Sequence, residues 1–173
     1  MISAQKRDSP NVFFCPESVA IIGASENPNA FGTRYLEALM KFGYKGKLYA
    51  INLSGSQVFG IKVYPSVMDV PESIDLAVVS VPARIVPTVL GDCLRKKIRG
   101  AVVLSSGFSE IGEGGRILEE DLTRISHQGI RMIGDWCGCL RAFGSYHPGI
   151  FKGDAGKAGY HDSRHWLLRE KSD

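Results

Sequence analysis

No apolar run in this sequence is long enough to cross a bilayer, which takes about 20 residues. The first residues also lack the apolar core of a signal peptide. The chain is therefore expected in the cytoplasm, without a membrane partner. Cysteine is scarce: Cys15, Cys93, Cys137 and Cys139 make no disulfide framework for 173 residues. Charge of one sign is scarce too. The 21 Lys and Arg against 18 Asp and Glu leave a net charge of +3. No basic stripe alternates with aromatics, which argues against nucleic acid. Arg95, Lys96, Lys97 and Arg99 fit the solvated end of a helix, where cations are favoured. The mild basic excess suits a small anionic ligand.

What is present is material for a core. An apolar fraction of 44% is ordinary for a globular chain, and the length suggests one domain with a tail. The organising stretch is VAIIGASENPNAFG, residues 19–32. Its apolar run, 19–22, stops at Gly23 and reads as a buried parallel strand. Gly23, Ala24 and Ser25 allow a tight turn and a close approach of backbone to ligand. A helical pattern follows over about 29–42, with Tyr35, Leu36, Leu39 and Met40 at helical spacing and Gly43 as its stop. The start of that helix points unpaired N–H groups and the positive end of its dipole at the turn, which makes a phosphate cradle.

The rest of the chain repeats the theme. Residues 1–15 read as a lead-in, with Phe13 and Phe14 available to pack on the sheet edge. A second strand is expected over 47–52, a short extended piece around 62–64, and a third sheet strand over 76–81. The next helix starts near Pro87, with Ile85, Val89 and Cys93 beside Val86, Leu90 and Leu94 on its apolar face. That spacing makes Cys93 a buried core thiol. A strand at 101–104, a Gly/Ser loop, a helix at 116–128 and a last strand at 130–133 complete the pattern. Alternating buried strands and amphipathic helices predict an α/β, doubly wound parallel sheet with helices on both faces. Its ligand site is expected outside the C-terminal ends of the strands.

Two phosphate-binding signatures are missing. A dinucleotide fold wants G-x-G-x-x-G and an acidic residue ending the second strand. Here the turn is Gly23-Ala24-Ser25 and the strand ends in Asn52. No Walker lysine motif occurs either. VAIIGASENPNAFG, YAINLSG, VYPSVMDVPESIDLAVVSVPA and GAVVLSSGFSEIGEGG, in this order, resemble the coenzyme A-binding domain of NDP-forming acyl-CoA synthetases. This is the ADP-forming acetate–CoA ligase type, similar to the alpha subunit of succinyl-CoA synthetase, and the likeness runs over 16–134. The resemblance implies a Rossmann-like domain holding CoA or acyl-CoA. It implies that Gly23, Ala24 and Ser25 meet the phosphates and that Val81, Pro82 and Ala83 line the nucleotide and pantetheine path. Ser105, Ser106 and Gly107 then sit toward the pantetheine arm, with Phe108 as a wall. A second ligase domain or an ATP-grasp subunit is the implied partner.

Two departures stand out. Where the family commonly has Asn-Pro-Lys-Gly, with a lysine on a CoA phosphate, this chain has Asn52-Leu53-Ser54-Gly55. Ser54 hydrogen-bonds without charge, a loss of ~1.5–3 kcal/mol that Lys45, Lys47 or Lys62 are candidates to offset. After Gly134 the likeness stops. The tail, 135–173, has no sustained period, and HWLLREK offers at most one short helix. It reads as a frame-shifted or truncated remnant of a longer ligase gene, which translation of the other frames past codon 134 tests. In the relatives acyl transfer passes through a phosphorylated histidine beyond this domain. His127, His147, His161 and His165 do not sit in that motif, so the chain alone is not expected to catalyse ligation. Cys137 and Cys139 with His161 and His165 are too tightly spaced for a zinc site. Glu110, Glu113, Glu119, Glu120 and Asp121 read as a solvated loop and helix start. The competing functions are an NAD(H)-binding redox or sensor module, and a ligand-free scaffold for a partner chain.

Overall fold

The computed structural model describes residues 11–108 and 111–134. The tail after Gly134, with its cysteine and histidine candidates, and Glu110 lie outside the described residues. Seven strands form one sheet in the order β3-β4-β2-β1-β5-β6-β7. They are β1 (Ser18–Ile22), β2 (Lys47–Ile51), β3 (Gln57–Val58), β4 (Ile61–Tyr64), β5 (Leu76–Val79), β6 (Gly100–Val103) and β7 (Arg131–Gly134). All neighbours are parallel except β3 and β4, which form a hairpin. Without β3, the six parallel strands follow the doubly wound order, with its reversal between β1 and β5.

The central strands are apolar on both faces because both faces are covered. Every residue of β1 and β5 is buried. Alternation then sorts them. Val19, Ile21 and Val78 join Leu36 of α2 (Phe31–Lys41), which fills one face. Ala20, Ile22 and Val79 join Leu90 of α3 (Val86–Arg95) and Leu122 of α4 (Glu113–Ser126), which fill the other. Leu36, Leu90 and Leu122 are each 0% exposed, a burial worth ~1.5–3 kcal/mol apiece. Cys93 is buried in the same layer, and burial pushes its thiol pKa up to about 12, so it packs as a small hydrophobe.

The lead-in is more structured than its sequence suggests. Asn11–Phe14 form a short helix, α1, with Val12 buried and Phe13 packed on the sheet, while Phe14 stays exposed. The extended piece expected around 62–64 is β4, and β3 pairs with it in a tight hairpin. Its two turn residues, Phe59 and Gly60, have φ of 51° and 78°, the mirror-image turn that suits a tight hairpin. Phenylalanine is an unusual occupant of that conformation, so the signal was weak. At the far end of the sheet, Asp75 clamps the strand starts together. It accepts from Glu17 N–H at 3.0 Å and from the Ser18 hydroxyl, and it pairs with Arg99.

Candidate functional site

At the reversal between β1 and β5 the two strand ends diverge into separate loops, and the chain after β1 turns sharply. Gly23 has φ of +101°, and a Cβ there would lie 2.1 Å from the Ser80 carbonyl oxygen. No other residue fits that turn. Hydrogen bonds fix the rim: Gly23 N–H to Ile51 carbonyl at 2.9 Å, Ser80 N–H to Ile22 carbonyl at 2.8 Å, and Asn52 N–H to Tyr64 carbonyl at 3.0 Å. The start of α2 then packs onto the turn. A Cβ on Gly32 would come within 2.8 Å of Gly23 carbonyl atoms, so glycine at 32 supplies the close helix–strand approach that the sequence motif lacks elsewhere.

The cradle is wired internally. Ser25 N–H donates to Thr33 Oγ1 at 2.9 Å, and Thr33 Oγ1 donates back to the Ser25 carbonyl at 2.8 Å. The Asn52 side-chain amide donates to the Ala24 carbonyl at 2.8 Å, and its oxygen accepts from Ser54 N–H at 3.2 Å. The end of α2 is open by comparison. Its N-cap is Ala30, without a side-chain cap, and no acid occupies the first turn. The first-turn N–H groups of a helix have no acceptor within it, so an anion here meets donors and a favourable dipole.

Beside Gly23 lies a cavity of about 520 Å³. Ile22, Ile51, Asn52 and Leu53 border it from the ends of β1 and β2, and Pro65, Ser66 and Val67 from the segment after β4. Ser80, Val81 and Pro82 come from the end of β5, and Ile85, Thr88, Val89 and Asp92 from α3 and the turn before it. The walls are mostly apolar, with a few polar groups, which is the composition of a small-ligand site.

The residues predicted at the glycine turn and the strand ends fall along this C-terminal rim, but in different settings. Gly23, Asn52, Val81 and Pro82 line the cavity. Ser25 and Gly107 are half-buried, and Ser54 and Ser106 are exposed. Ala24, Ala83 and Ser105 are buried, with Ser105 Oγ donating to the Val81 carbonyl at 2.5 Å. That bond ties the β6 loop to the β5 loop. Phe108 is corrected: it is 0% exposed and belongs to the core, so its side chain supports the loop from below and cannot wall an open path. Two of the three lysines are corrected too. Lys45 and Lys47 sit at the opposite end of β2 from the rim, and Lys47 pairs with Glu72. Five residue steps along β2, roughly 16 Å, separate Lys47 from Asn52 at the site. Lys62 lies over the Tyr64 ring at 4.8 Å. The sequence reading missed Pro65, Ser66, Thr88 and Asp92. The detectable signal was Thr88 and Asp92, a polar i, i+4 pair flanking an apolar helix face.

A parallel sheet reversing at a glycine turn, against an uncapped helix start and an apolar cleft, defines a Rossmann-like domain with a candidate ligand cleft. The chain belongs to the CoA binding domain family, which it matches over residues 17–142. It is 43% identical over 122 residues to ADP-forming acetate–CoA ligase II of Archaeoglobus fulgidus, covering 70% of this chain and 18% of that protein. It is 39% identical over 131 residues to the alpha subunit of ADP-forming acetate–CoA ligase I of Pyrococcus furiosus, covering 73% of this chain and 28% of that one. Among solved structures, a dinucleotide-forming acetyl-coenzyme A synthetase 1 of Ca. Korarchaeum cryptofilum, in complex with phosphate and ADP, superposes with a TM-score of 0.69. It is 41% identical, over 73% of this chain and 27% of that chain. The chain therefore spans under a third of the length of these relatives. Among the described residues, no helix is long and apolar enough to cross a membrane.

Proposed function

We propose that this chain holds coenzyme A as the CoA-binding portion of an ADP-forming acyl-CoA synthetase of the acetate–CoA ligase type. The nucleotide end enters the cleft beside Gly23, and the phosphates face the Gly23–Ser25 turn and the start of α2. The pantetheine arm leaves along the Ser105–Gly107 loop, toward a second ligase domain or an ATP-grasp subunit that supplies the phosphoryl and acyl chemistry. The carrying observation is the α2 start, which has neither a side-chain cap nor an acid and abuts a turn that only glycine can make.

An NAD(H) module is the rival. It would place a carboxylate at the end of β2 to receive a ribose 2′-hydroxyl. Asn52 stands there, and its amide is committed to the Ala24 carbonyl. Calorimetric titration of the folded chain with CoA, and competition by NADH, separates the two. Micromolar CoA binding that excess NADH leaves unchanged is the expected result. NADH displacing CoA at equal concentration would favour the redox module. A folded chain that binds neither, yet associates with an ATP-grasp subunit, would be a scaffold.

A further inference from the structure

The cavity carries one feature that CoA binding in general does not require. Among the described residues that line it, Asp92 is the one charged side chain. It lies in the body of α3, about 9 Å along the helix axis from Val86, while the phosphate-facing donors lie at the Gly23 rim. Its neighbours in the lining are Thr88, one turn earlier on the same helix, and Val89. Ser66 and Val67 enter from the segment after β4. Asp92 Oδ1 accepts from Arg95 on the outer side of the helix, and its side chain is 26% exposed. A carboxylate has about four acceptor positions, so this pairing leaves acceptor capacity.

An acceptor-only, charged group among apolar walls and neutral hydroxyls favours a ligand that presents a donor. The adenine 6-amino group is such a donor, whereas a 6-oxo group is an acceptor and would face the carboxylate unfavourably. We propose that Asp92 is a base-specificity residue that reads the 6-amino group of the adenine ring. On this proposal the flat ring lies among Pro65, Val67, Ile85 and Val89. The proposal rests on the reading that the cleft takes the nucleotide end of CoA.

The test is a calorimetric titration of the full chain with CoA and with its hypoxanthine counterpart, in which the 6-amino group is replaced by oxygen. CoA is expected to bind about 10–100-fold more tightly, the worth of one hydrogen bond to a charged group. In Asp92→Asn the preference collapses to a few-fold, because an amide can turn its N–H toward a 6-oxo group. In Asp92→Glu, which keeps the charge, CoA remains preferred. The Asp92–Arg95 pair spans one exposed turn, so these variants keep the fold, which a thermal melt verifies. Equal binding of both ligands by the parent chain, or an unchanged ratio in Asp92→Asn, overturns the proposal while leaving CoA binding standing. If the folded parent binds neither ligand, the CoA reading fails and this assignment falls with it.

Discussion

Replacing Gly23 with alanine tests the cradle most directly. Two costs combine. A non-glycine residue at φ of +101° carries strain of ~1–3 kcal/mol. The new methyl would also lie 2.1 Å from the Ser80 carbonyl oxygen and 2.9 Å from its carbon. These are backbone atoms of β5's end, so relief requires moving the strand end rather than turning a side chain, at a further ~1–3 kcal/mol. For a domain of this size the total corresponds to a melting-temperature drop on the order of 10–20 °C. Gly43→Ala is the matched control. Gly43 also has positive φ, +72°, but nothing lies within 4 Å of its added Cβ, so only ~1 kcal/mol is expected. Thermal melts of both variants, read by circular dichroism, give the difference. CoA titration follows at a temperature where both remain folded, and Gly23→Ala should then have lost binding while Gly43→Ala keeps it. If Gly23→Ala melts within about 3 °C of Gly43→Ala, the close approach of the β1 turn to Ser80 is not a real constraint.

Two further perturbations separate structure from ligand contact. At Asp75, burial raises the carboxyl pKa, but the Arg99 guanidinium, the Glu17 N–H and the Ser18 hydroxyl outweigh it, so the folded-state value falls below the usual carboxylate range. The stabilisation is therefore full above the unfolded pKa, near 4, and is lost as pH falls through the lowered folded value. Asp75→Asn should cost ~1–3 kcal/mol at pH 7, and the gap from the parent should narrow below about pH 4 in urea melts; a gap that persists unchanged would show that charge is not what holds the strand starts together. Phe108→Ala should lower stability by ~3–5 kcal/mol, since the ring is fully buried. If it instead leaves the melting temperature unchanged and weakens CoA tenfold or more, the ring lines the ligand path after all.

The sheet was legible because its central strands are buried on both faces, and a run such as LAVV at β5 admits little else. The helices were legible from their spacing, although α4 begins at Glu113, three residues before the expected Arg116, because glycines at 114 and 115 hide the pattern. What could not be read depends on contacts distant in sequence. Phe108 sits in a loop of small residues that suggested an open surface. It points inward because α4 folds back over the loop, so closely that a Cβ on Gly115 would overlap the Phe108 carbonyl. The cleft wall from Pro65 to Val67 meets α3 only after the chain has crossed from β4 on one side of β1 to β5 on the other.

Asn52 shows most clearly how such a site hides in a sequence. Read alone, it is informative for what it is not: the acid that would hold a ribose hydroxyl. In the fold it has an occupation of its own. Its amide nitrogen serves the Ala24 carbonyl in the first turn, and its oxygen receives Ser54 N–H in its own loop. A carboxylate of the same shape could accept from Ser54 but could not donate to Ala24. It would set two acceptors against each other at the floor of the cradle, a cost of ~1–3 kcal/mol for a buried carbonyl left without its donor. The residue that replaces the dinucleotide-type acid thus also stiffens the glycine turn at the cleft rim. Its side chain belongs to the scaffold of the site, and the donors left to face an anion are backbone groups, which no side-chain pattern can reveal.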